Sequence, residues 1–153
     1  MGGHAHVITN AMQRFTGGCH CGALQVTFET CIAPDQLELR TCNCSFCGRH
    51  GVVAATDPSG HLTITVNEPD LLSRYQFALR TAEFLICRRC GVYVAAILEA
   101  DDKCFATLHV AALDGRPFTQ IPKRVDYDNE TVAERIGRRK AHWTPATLIL
   151  INR

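Results

Sequence analysis

Seven of the nine cysteines in this 153-residue chain fall into three tight groups. They are Cys19-His20-Cys21-Gly22, Cys42-Asn43-Cys44-Ser45-Phe46-Cys47-Gly48 and Cys87-Arg88-Arg89-Cys90-Gly91, with Cys31 and Cys104 standing apart. Cysteines two residues apart on extended backbone point to the same side, so both thiolates can reach one ion. In a Cys-x-x-Cys-Gly turn the chain folds tightly around a metal, and the glycine after each group tolerates the positive φ such a turn needs. Structural zinc is closed by four ligands, whereas catalytic zinc keeps one position open beside three. Four plus three accounts for the seven clustered cysteines. The middle group supplies an open site alone, and the outer pairs close a tetrathiolate site that staples distant segments together. Spacing does not force this division. Cys42 and Cys44 could join Cys87 and Cys90, and His20, His50 or Cys31 could close a second site.

Metal ligation requires reduced thiols. Met1 to Phe15 lacks the basic and apolar regions of a secretory signal, and His6 stands where a myristoylation signal would carry Ser or Thr. No apolar run reaches the roughly 18 residues needed to cross a bilayer. A cytoplasmic protein is expected, with no membrane partner, and clustered cysteines there read as metal ligands before disulfides. Sixteen basic residues balance fifteen acidic ones, for a net charge of +1, which excludes a disordered tail and gives no basic face for nucleic acid.

The elements that must position these cysteines read mostly as strands. Leu24, Val26 and Phe28 alternate with polar neighbours, as do Leu37 and Leu39, and Leu62, Ile64 and Val66. Segments 52–56, 83–87, 92–98 and 105–110 are β-rich runs of similar length, separated by turns at 57–60, 68–70 and 114–117. One stretch looks helical, capped by Asp128 or Asn129 and running through Arg138, with Val132, Arg135 and Ile136 on its covered face. A mainly β chain with one short C-terminal helix follows. Residues 1–15 read as an N-terminal extension and 16–153 as a single zinc-binding domain.

The strings GGCHCG at Gly17–Gly22, CNCSFCGR at Cys42–Arg49 and CRRCG at Cys87–Gly91 closely resemble the glutathione-dependent formaldehyde-activating enzyme family, which includes centromere protein V. Leu113-Asp114, the segment around Pro122 and Trp143 extend the resemblance over about Thr16 to Trp143. It implies a β-tent of small antiparallel sheets and two zinc ions per chain. Cys19, Cys21, Cys87 and Cys90 would hold the structural zinc, and Cys42, Cys44 and Cys47 the catalytic one.

Three thiolates leave Zn²⁺ formally −1, a weak Lewis acid suited to ionising a soft ligand such as a thiol. A thiol at the fourth position becomes a positioned thiolate that adds to a small carbonyl, or leaves in the reverse reaction. The resemblance implies the partners: glutathione and formaldehyde, joined by a carbon–sulfur lyase or synthase. His50, just after the open site, is the candidate for proton transfer, against the plainer reading of a solvated histidine. Arg49, Arg88, Arg89 or the Arg138-Arg139-Lys140 cluster could hold glutathione's carboxylates, against the plainer reading of surface charge. Cys31 and Cys104 are expected to be small buried hydrophobes, and Trp143 to pack in the core. The rival reading is a non-catalytic interaction module with two structural zincs. A redox role for Cys44-x-x-Cys47 lacks the βαβ context and leaves Cys42 unexplained.

Overall fold

The computed structural model describes residues 8–152. In chain order the strands are β1 (Ile8–Gly18), β2 (Leu24–Ile32), β3 (Leu39–Cys42), β4 (Ala54–Ala55), β5 (His61–Val66), β6 (Leu72–Tyr75), β7 (Glu83–Cys87), β8 (Tyr93–Ala100), β9 (Lys103–His109), β10 (Lys123–Val125) and β11 (Thr144–Leu150). Helix α1 (Ser45–His50) lies between β3 and β4, and α2 (Val132–His142) leads into β11. The mainly β expectation is met. Among the described residues, no helix is long and apolar enough to cross a membrane.

Alternation decides the first layer. Leu24, Val26 and Phe28 of β2 stand opposite Val66, Ile64 and Leu62 of β5, so the inward faces of both strands meet across the ladder. β1 flanks β2, while β11 runs parallel to β5 on the other side. At Thr144 and Pro145, β11 crosses to pair with β9, joining this layer to the second. There β9 is the hub: β8, β7 and β6 extend from one edge, and β4, β3 and β10 from the other. The strands thus form one branched sheet. Two of its pairings, β5–β11 and β3–β10, are parallel where antiparallel sheets were expected. Both join strands far apart in sequence, which no local pattern reveals.

Buried polar groups tie the layers. Thr30 Oγ1 donates to Asp57 Oδ2 at 2.6 Å, and Asp57 N–H donates to Thr144 Oγ1 at 2.9 Å. With Ser59 N–H, which donates to Asp57 Oδ1 at 2.9 Å, the Thr30 bond satisfies the carboxylate of a residue that is 4% exposed and would otherwise be costly to bury.

A bulge then shapes the site. Leu85 pairs with Ala95 but Ile86 pairs with Tyr93, so Val94 is the extra residue on β8. Val94 and Ala95 consequently join the main core, while Tyr93 turns into a second cluster with Phe46, Ala96, Leu98 and Trp143. Cys44 and Cys47 pack against that second cluster.

Helix α2 begins two or three residues later than expected. Its cap is Thr131, whose hydroxyl accepts from Glu134 N–H while the Glu134 carboxylate accepts from Thr131 N–H. Its buried residue is Arg139, whereas Val132, expected to be covered, is 46% exposed.

Candidate metal centres and the adjoining cavity

The four outer cysteines meet. Cys19 and Cys21 lie in the turn between β1 and β2, Cys87 ends β7 and Cys90 lies in the turn that leads to β8; all four sulfurs are within 4.8 Å of one another. Cys19 Sγ is 3.8 Å from Cys21 Sγ, and Cys21 Sγ is 3.5 Å from Cys87 Sγ. A zinc tetrahedron with Zn–S bonds of about 2.3 Å has sulfurs separated by about 3.8 Å, so this set fits a four-coordinate ion. Backbone geometry prepares it. Gly22 and Gly91 adopt φ of +84° and +79°, left-handed values that open each knuckle, and Leu24 N–H donates to Cys19 Sγ at 3.3 Å. Burial pushes the Cys19 thiol up to about 11. Burial also opposes ionisation of Cys90, but the N–H groups of Val92 and Cys21 and the neighbouring thiols outweigh it and bring Cys90 down to about 6.

Cys42, Cys44 and Cys47 form the second group, again within 4.8 Å. Cys42 ends β3. Cys44 is the N-cap of α1, its sulfur accepting from Cys47 N–H at 3.4 Å, and Cys42 Sγ accepts from Cys44 N–H at 3.4 Å. Helix α1 went unforeseen, since six residues are too few for a helical period to show. It also changes the role of Gly48, which is helical rather than a positive-φ turn residue; Gly51, at φ +59°, ends the helix instead. Hydrogen bonding from Cys47 brings the Cys42 thiol down to about 6, while the same bond and burial push Cys47 up. Among the described residues this group has three cysteine members, with no fourth protein ligand close by.

All three line a cavity of about 350 Å³. Phe77, Phe84, Tyr93 and Trp143 form its apolar walls, and Arg40, Arg135, Arg138 and Arg139 share its polar lining with Asp128 and Glu130. Tyr93 is buried, and that burial together with the nearby Cys47 holds its phenol in the protonated form. His109 stacks on Tyr93 at 5.4 Å, with its pKa lowered by burial.

The remaining expected residues spread out. His50 is exposed on α1 with its ring 4.3 Å from that of Phe46, and Arg49 is exposed beside it. Arg88 and Arg89 are exposed at the four-cysteine knuckle, where Arg89 pairs with Glu68. The Arg138-Arg139-Lys140 cluster separates: Arg138 bonds Glu130 at 2.7 Å, Lys140 pairs with Asp101, and Arg139 turns inward. Cys31 and Cys104 are half-buried rather than fully so, and Trp143 is buried as expected. Sequence reasoning missed Phe84 and Tyr93, because isolated aromatics in β-rich runs read as ordinary core, and Phe77, because it lies between β6 and β7 outside any such run.

The family model described as glutathione-dependent formaldehyde-activating enzyme matches residues 14–127. A solved crystal structure of a Rhodobacter sphaeroides protein aligns with 32% identity and a TM-score of 0.52, covering 72% of this chain and 99% of that one.

Proposed function

Because this chain belongs to the glutathione-dependent formaldehyde-activating enzyme family, we propose that it is a zinc-dependent carbon–sulfur lyase or synthase that joins a thiol such as glutathione to formaldehyde or a similar small aldehyde, and runs the reverse reaction. The observation that carries this reading is the three-cysteine group opening onto a cavity, a donor set that leaves a tetrahedral ion one free position. Cys42, Cys44 and Cys47 would hold the zinc, which would supply a position where an incoming thiol could ionise at neutral pH. The chain does the rest. Cys44 N–H and Cys47 N–H donate to the cluster's own sulfurs and fix their direction, and Phe77, Phe84 and Tyr93 keep water from the reacting carbon. The thiol sulfur forms a bond to the carbonyl carbon, the carbonyl π pair moves to oxygen, and oxygen takes up a proton, giving a hydroxymethyl thioether.

His50, exposed next to the cluster, is the proposed proton carrier between thiol and bulk water, and Arg49 beside it a proposed contact for a glutathione carboxylate. The four-cysteine group is the proposed structural zinc site, giving two zinc ions per chain. Nine free cysteines support a reducing, cytoplasmic setting.

The addition also proceeds without enzyme, so the test is exchange NMR of glutathione with labelled formaldehyde at equilibrium. The expected result is an exchange rate that rises in proportion to added zinc-loaded protein. An exchange rate equal to the protein-free background over all protein concentrations would sink the proposal.

A further inference from the structure

Among the described residues, Arg139 is the arginine of the cavity wall that forms no salt bridge; Glu130, bonded to Arg135 and Arg138, acts on it only at a distance. Arg139 is 8% exposed. Among the described residues its neighbours on the wall are committed elsewhere: Arg135 and Arg138 both pair with Glu130, and Arg40 pairs with Glu38. Arg139 donates one hydrogen bond, from Nη1 to Thr81 Oγ1 at 2.7 Å, and its Nε is buried with no hydrogen-bond partner. Its guanidinium lies 4.7 Å from the ring centre of Trp143. A hydroxyl and an aromatic face offset part of the desolvation of a guanidinium, and a carboxylate would offset far more. Burial and the neighbouring Arg138 and Arg135 lower its pKa to about 10, so it remains cationic at neutral pH.

The same cavity wall carries the three cysteines and the rings of Phe77, Phe84 and Trp143. A ligand that fills it meets an apolar surface, a soft metal-ligand cluster and one cation that forms no salt bridge. We propose that Arg139 is the anion-recognising residue of this cavity and selects substrates that carry a carboxylate on an apolar stem. The proposal deepens the reading of the cavity as a thiol-substrate site and rests on that reading. Arg139 then selects for one carboxylate inside the cavity, where a buried guanidinium binds with little competition from water, and the exposed Arg49 is left to contact a second carboxylate outside it.

A probe without a thiol tests this separately from the zinc chemistry. 3-Phenylpropanoate and its neutral amide are titrated into the zinc-loaded protein by calorimetry, with the emission of Trp143, the chain's sole tryptophan, reporting where they bind. The expected result is carboxylate binding that perturbs Trp143 and is at least roughly tenfold tighter than that of the amide. In R139M the preference disappears; in R139K, which keeps a cation but loses the planar fork, it is weakened. R138M, which removes a guanidinium already bound to Glu130, keeps the preference. Equal affinity for acid and amide, or an undiminished preference in folded R139M and R139K, would overturn the proposal. If carboxylates bind through Arg139 while glutathione leaves the three-cysteine cluster untouched, the anion site stands and the thiol reading falls. If glutathione engages the cluster while acid and amide bind alike, the reverse holds.

Discussion

Each sulfur of the three-cysteine group is held by a different piece of backbone: the end of β3, the cap of α1 and its first turn. Replacing one of them should therefore remove a ligand without dismantling a strand pair. For Cys42→Ser we expect the metal content of purified protein to fall from about two equivalents to about one, with the urea midpoint changing by less than ~1 kcal/mol equivalent. Cys87→Ser should behave differently. Cys87 is 1% exposed and joins two segments, so its loss should cost several kcal/mol, on the order expected when metal binding contributes to folding. Metal analysis by mass spectrometry alongside urea unfolding checks both, and equal behaviour of the two variants would contradict the division into a stapling site and an open site. The cysteines were legible as ligands because their spacing is local, whereas their division into four and three joins distant segments and was implied by the family resemblance. Tyr93 was not, since its turn toward Cys47 depends on the Val94 bulge, which arises only when β7 and β8 pair.

Helix α2 matters because it carries the cavity's cation and leads directly into Trp143. Its start is fixed by the reciprocal bonds between Thr131 and Glu134, and Glu130 just before it clamps Arg135 and Arg138. Thr131→Ala should cost about 1 kcal/mol in urea unfolding, the usual effect of deleting an N-cap hydroxyl. No loss would mean that packing alone holds the helix. The Thr-x-x-Glu signature was present in the sequence, yet the earlier Asp128 and Asn129 are equally good caps by type. What decided against them was the turn in which Glu130 N–H bonds Tyr127 C=O. The covered face holds at Ile136, which packs on the second cluster, and at Arg135, which is half-buried; it fails at Val132 in the exposed first turn, and its most buried member is Arg139, set against Trp143 and bonded to Thr81.

Across the whole molecule, two layers of strands meet where β11 passes from β5 to β9, and the four-cysteine group clips the turn after β1 to the end of β7 and the turn after it, joining residues 66 positions apart. Closing so long a loop removes freedom from the unfolded chain, which is how a metal clip stabilises a sheet whose edges are otherwise joined late in folding. The alternating strands were readable one by one. Their order and the two parallel pairings were not, because each joins segments far apart in the chain. On the proposed division, a metal clip at the four-cysteine group would leave the second cluster without a structural duty, and it is that second cluster which opens on the cavity. The direct measurement is X-ray absorption at the metal of cobalt-substituted protein as glutathione is added, with Cys42→Ser as the reference. The account predicts that sulfur coordination at the Cys42, Cys44 and Cys47 site rises from three toward four, saturably, and that Cys42→Ser protein shows no such change. A site already holding four protein ligands before glutathione is added, and unaltered at saturation, would contradict it.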